Sequence, residues 1–148
     1  MNIREIKELI EKETDKIIKS ESNNYLFVKN KELSWDCEVI YEIHIREDNT
    51  FSFLIMVGNT VFYKPENKEN NIIELKAFLD VEITYKDLCD YCLKLGFKIG
   101  NENCVFYEED VYNIDIAITK YSEIIINNSM CKKRSMYQIY QIVKNIME

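Results

Sequence analysis

Cys89 and Cys92 stand three residues apart in Cys89-Asp90-Tyr91-Cys92, the only C-x-x-C of the sequence. Such a spacing serves thiol redox chemistry or half of a zinc site. Redox pairs sit at the start of a helix that follows a strand, where the helix N-terminus lowers the thiol pKa. Here Thr84 reads as an N-cap with Asp87 three residues on, and the helix runs to Leu95 before Gly96 stops it. Both sulfurs therefore fall in middle turns. A zinc site needs two further ligands, and no second C-x-x-C or H-x-x-x-H supplies them; Cys37, Cys104, Cys131 and His44 are scattered. The pair reads as buried packing, with no metal and no cofactor expected. Five cysteines, an odd number, each among apolar neighbours, read as reduced thiols without disulfides.

His44 is the only histidine. A hydrolytic site needs a base beside a nucleophile and a third group to orient it. His44 falls on the solvent side of an alternating strand between Glu42 and Arg46, and no serine lies in a G-x-S-x-G elbow. Only Gly58, Gly96 and Gly100 occur, so phosphate-cradling glycine loops are excluded. An enzyme is not expected.

Carboxylates give the strongest pattern. Asp36, Glu38 and Glu42 share one side of that strand, about 6.6 or 13 Å apart at strand rise. The acidic turns Glu47-Asp48 and Glu108-Glu109-Asp110 could widen the field. A fixed carboxylate row on a sheet can imitate a nucleic-acid backbone and occupy a basic groove. The plainer alternative is a solvated strand face that discourages aggregation. Lys132-Lys133-Arg134 is a lone basic triplet near a helix start, where cations sit poorly, and reads as a solvated face. Tyr107, Tyr112, Tyr121, Tyr137 and Tyr140 could form a contact surface or simply fill a core.

The elements that position these groups read as follows. Residues 2–19 suggest an amphipathic helix capped by Asn2, with Ile3, Ile6, Leu9, Ile10 and Ile17 on one face. Residues 25–28 suggest a strand. From 35 to 46 apolar residues alternate strictly: Trp35, Cys37, Val39, Tyr41, Ile43 and Ile45 point inward. Phe51 to Val57 alternates again, and Gly58-Asn59 supplies a hairpin before a strand from Thr60. Residues 72–83 suggest a short helix entering a strand. Strands follow near 97–99, 104–107, 111–119 and 123–127, and a last helix starts at Ser129 and buries Cys131, Ile139, Ile142 and Ile146.

The whole reads as one α+β domain over 1–148: an antiparallel sheet of about six or seven strands, with N-terminal, middle and C-terminal helices mainly on one face. The chain has 148 residues, 47% of them hydrophobic and 30% charged, and a net charge of −7. That charge disfavours nucleic-acid binding, which lysine and arginine normally drive. No apolar run is long enough for a membrane span, and the N-terminus lacks a secretory pattern, so a cytoplasmic location is expected. Heavy use of Asn, Ile, Lys and Tyr suggests an AT-rich bacterial or phage genome. The function these readings favour is a non-enzymatic inhibitor or immunity-type protein that neutralises a protein with a basic surface, such as a nuclease or toxin. Its expected contact residues are Asp36, Glu38, Glu42, Glu47, Asp48, Glu108, Glu109 and Asp110. Monomer and dimer are both compatible with the sequence. The element order is also similar to that of bacterial secretion chaperones, which implies as the alternative an adaptor holding a client segment in an apolar groove.

Overall fold

The chain divides into two units, Met1–Val81 and Glu82–Glu148, each with its own set of internal contacts. The computed structural model describes residues 2–30, 39–47, 50–58, 60–63, 72–131 and 134–147, apart from the side chains of 62 and 63. Its class is α+β.

The first unit contains α1 (Ile3–Glu13), the strands β1 (Lys16–Glu21), β2 (Tyr25–Asn30), β3 (Val39–Ile45), β4 (Phe51–Val57) and β5 (Thr60–Tyr63), and α2 (Ile72–Phe78). The strands form an antiparallel meander in sequence order, because each is joined to the next by a local connection. Gly58, at φ 62°, gives the β4–β5 turn the left-handed backbone that a side chain disfavours. One face of this sheet is core. Leu26, Val28, Ile43, Phe51 and Phe53 are buried against Ile6 and Ile10 of α1 and against Leu75 and Leu79, with Tyr41, Ile45 and Phe78 packed around them. Phe53 stacks on Phe78 with ring centres 4.7 Å apart. Lys16 is buried on the same side, its ammonium 5.0 Å from the centre of the Tyr41 ring, where the ring's negative face offsets some of the desolvation cost.

The second unit contains α3 (Tyr85–Lys94), the strands β6 (Lys98–Asn101), β7 (Cys104–Glu109), β8 (Ile114–Thr119), β9 (Glu123–Ile126) and β10 (Ser129–Met130), and α4 (Met136–Met147). Its sheet is again antiparallel and in sequence order. Val105, Ile116, Ile118 and Ile124 share one face by register and are buried. Leu88 and Cys92 of α3 and Ile139, Tyr140 and Val143 of α4 are also buried.

The differences from the sequence reading have local causes. The described strands number ten and divide into two sheets of five, where one sheet of six or seven was expected. Residues 2–19 are not one helix. Thr14 leaves helical geometry at ψ 163°, its hydroxyl turns back to the Ile10 carbonyl and accepts from the Lys16 amide, and Ile17 and Ile18 enter β1. Their β-branched side chains suit a pleated surface better than a helix end. Residues 79–83 form a turn and an irregular segment, not a strand, since Asp80 at φ 56° breaks the extension. Ser129 opens β10, and the last helix starts later. Ser135 caps it, accepting from the Gln138 amide while its own amide donates to the Gln138 side chain. That shift leaves Cys131 outside the helix and rotates the buried stripe to Ile139, Tyr140 and Val143, with Ile146 exposed. The Thr84–Asp87 capping box and the stop at Gly96, φ 101°, are as expected.

Candidate binding surfaces

With odd positions of β4 and even positions of β2 turned into the core, the first sheet's other face follows from register. It carries Tyr25, Phe27 and Lys29 of β2, Ile40, Glu42 and His44 of β3, and Ser52, Leu54 and Met56 of β4. Apart from the exposed His44 these residues are half-buried, and the flanking Ile17 and Val61 are exposed. The face is mostly apolar. Glu42 stands near its centre with Phe27 on one side and Leu54 on the other. The Glu42 side chain is only 14% exposed, against 48% for His44. Glu42 Oε2 lies 3.3 Å from His44 Nε2, and the His44 ring lies 6.1 Å from Tyr25 and 6.4 Å from Phe27. Glu42 is thus largely covered, with Phe27 and Leu54 as its cross-strand neighbours. Asp36, Glu38 and Asp48 lie outside the described residues. Glu47 is exposed at the turn after β3.

The second surface is the end of the β7–β8 hairpin. Glu108 and Asp115 face each other directly across the two strands, and both are exposed. Glu109 pairs with Ile114, points to the opposite side and is half-buried. Residues 110–113 make the turn, with Asn113 at φ 52°. Asp110 is exposed there, and Val111 and Tyr112 are 80% and 74% exposed. Like charges directly opposite in an antiparallel pair destabilise it, by about 0.2–1 kcal/mol on the scale of cross-strand pairs. The backbone beneath is firmly held: the Asp115 amide donates to Asn127 Oδ1 at 2.9 Å, and the Asn127 amide donates to the Asp115 carbonyl at 2.8 Å. Among the described residues none forms an ion pair with Glu108, Asp110 or Asp115. The acidic positions expected to act as one field thus fall in different units: Glu42 and Glu47 in the first, Glu108, Glu109 and Asp110 in the second.

Of the cysteine pair, Cys92 is buried and Cys89 half-buried. Cys92 is fully buried in α3, and burial, helped by the neighbouring Cys89, pushes its thiol up to about 12. Burial also raises the Cys89 thiol, partly offset by its hydrogen bond with Tyr85, and raises the Tyr85 hydroxyl for the same first reason. A thiol held protonated is a poor nucleophile and metal ligand. Among the described residues no three His, Cys, Asp or Glu side chains gather to hold a metal ion.

A shallow groove of about 500 Å³ runs between α1 and the β1–β2 turn, lined partly by Arg4, Lys7, Glu8, Glu11 and Glu21. Its charges largely answer one another. Lys7 Nζ lies 2.8 Å from Glu21, which raises its pKa, and Arg4 lies 3.6 Å from Glu8. Of the tyrosines considered, Tyr140 stacks on Tyr137 in the second core and Tyr107 lies against Phe97, whereas Tyr112 and Tyr121 are exposed. Arg134 is exposed; Lys132 and Lys133 lie outside the described residues.

Sequence reading missed Asp115 and Val111 as surface features, and it missed the apolar neighbours of Glu42. Parity could have found Asp115, since a four-residue turn at 110–113 pairs 108 with 115. The company kept by Glu42 depends on the β2–β3–β4 registers, which pattern alone leaves open. No helix among the described residues is long and apolar enough to cross a membrane. Comparison with known protein families, with curated proteins and with solved structures gives no match to this chain.

Proposed function

We propose that this protein is a non-enzymatic binding protein of the inhibitor or immunity type, which engages a protein with a basic surface through its own acidic surface. The observation that carries the reading is the β7–β8 hairpin end. Two carboxylates oppose each other on a firmly bonded backbone, and the turn that joins their strands carries a third carboxylate and the exposed Val111 and Tyr112. Such an end is costly to the isolated fold and gains from a cationic partner, which would relieve the repulsion between Glu108 and Asp115 and cover Val111 and Tyr112. Tyrosine at the centre of a charged rim is a common anchor of protein interfaces. A cytoplasmic location and a bacterial or phage origin belong to the same proposal.

The test is affinity capture from the native cells with the wild-type chain and with Glu108→Lys/Asp110→Lys/Asp115→Lys, each checked for an unchanged melting profile. A basic protein retained by the wild type and lost by the variant supports the reading. Equal retention by both removes it.

The alternative, an adaptor for a client segment, is favoured by a separate observation: the half-exposed apolar face of the first sheet.

A further inference from the structure

We infer that the outer face of the first sheet docks a partner's apolar peptide segment bearing one basic side chain, with Glu42 receiving the cation. The inference rests on the reading of this chain as a protein-binding protein, and it uses a different surface from the hairpin end.

Phe27, Ile40, Leu54 and Met56 surround Glu42 on β2, β3 and β4, and Ile17 and Val61 extend the apolar surface toward both edges of the sheet. The helices of this unit pack on the opposite side of the sheet, where its buried core lies. An apolar face of this extent suits an apolar occupant. Glu42 sets a condition on that occupant. A carboxylate offers about four lone-pair sites, and His44 at 3.3 Å is its one described polar partner. Lys29 belongs to the same face but stands beside Ile40, two positions along from Phe27. A segment lying over Phe27 and Leu54 would exclude water from the Glu42 carboxylate. A buried carboxylate with one polar partner for its several lone pairs is unfavourable, so an entirely apolar segment is disfavoured. A segment with a lysine or arginine between apolar residues supplies both the missing donors and the missing charge, and a charge-assisted hydrogen bond in a water-poor setting is among the stronger polar contacts. The face thereby selects its ligand by one residue type: apolar positions give area, and the cation gives specificity.

The experiment is selection from a displayed library of random linear peptides against the intact chain, followed by fluorescence anisotropy of the enriched peptides. Enriched peptides are expected to share one Lys or Arg flanked by apolar residues. Glu42→Gln, which keeps the shape and removes the charge, should weaken them about tenfold or more. A peptide with its cation replaced by Met should lose its preference for the wild-type chain over Glu42→Gln. Leu54→Asp should abolish binding, and the triple hairpin variant described above should leave it unchanged. An absence of enriched peptides, enrichment without a basic residue, or equal affinity for wild type and Glu42→Gln overturns the inference. Loss of peptide binding on hairpin charge reversal overturns it as well, since the ligand would then belong to the hairpin end.

Discussion

The two sheets have the same strand number, the same antiparallel sequence order and a helix pair apiece, yet their carboxylates meet opposite fates. On the first sheet Glu42 lies between Phe27 and Leu54, is largely covered and has His44 as its one described polar partner. On the second, Glu108 faces Asp115, both are exposed, and no described residue forms an ion pair with them. What differs is the cross-strand neighbour. An apolar neighbour shields a carboxylate and makes it selective; an acidic one leaves it hydrated and repelled, ready for a cation. A count of acidic residues along the chain treats the two sites alike.

The most forceful way to break this comparison is to ask whether the outer face of the first sheet is surface at all. Phe53→Ala, in the core behind it, is expected to cost about 3–5 kcal/mol in chemical denaturation. Leu54→Ala, the next residue and on the other face, should cost about 1 kcal/mol, within the usual range for less buried positions. Equal costs would make both faces core and leave no face for a peptide.

A second probe uses the buried thiol. With its ordinary value of 9.0 raised to about 12 in the fold, Cys92 stays protonated in the native state while the unfolded thiol ionises. The unfolded chain then binds fewer protons, so stability falls as pH rises from about 9 to 12, by at most about 1.4 kcal/mol per pH unit for this group. Cys92→Ser should flatten that slope in urea titrations, and native alkylation at pH 8 should modify Cys92 last among the described cysteines.

Thr84→Ala removes the acceptor for the Asp87 amide and opens the capping box, at an expected cost of about 1 kcal/mol to the melting of the second unit. The smallest effect is the most pointed. Asp115→Lys turns the repulsion with Glu108 into attraction, and should stabilise the protein by about 0.2–1 kcal/mol while weakening the partner. Glu42→Lys has no such gain available, since it places a cation between Phe27 and Leu54. If both substitutions stabilise the fold equally, the contrast between the sheets disappears.

Much of the architecture was legible from short-range chemistry. The alternation from Val39 to Ile45 and from Phe51 to Val57, the Gly58 turn, the Thr84–Asp87 box and the Gly96 stop each depend on one or two residues with strong local preferences. Ile17 and Ile18 misled, because apolar residues at 3, 6, 9, 10 and 17 fit a helical stripe, and the break depends on a single hydroxyl at Thr14. Ser129 misled in the same manner: serine begins turns and strands as well as helices, and the cap that works is Ser135, with Gln138 three residues on. The acidic residues were visible, but their surroundings were not. Whether Glu42 meets Leu54 or Phe53 is a matter of strand register, and a one-residue slip would exchange the two faces.

The measurement that bears most directly on the account is the affinity of the partner recovered from native cells, determined by calorimetry for the wild-type chain and for Glu108→Lys/Asp110→Lys/Asp115→Lys across a range of salt concentrations. Charge complementarity at the hairpin end predicts at least a tenfold loss for the variant and a shallower dependence on salt. Identical affinities and identical salt slopes would contradict it.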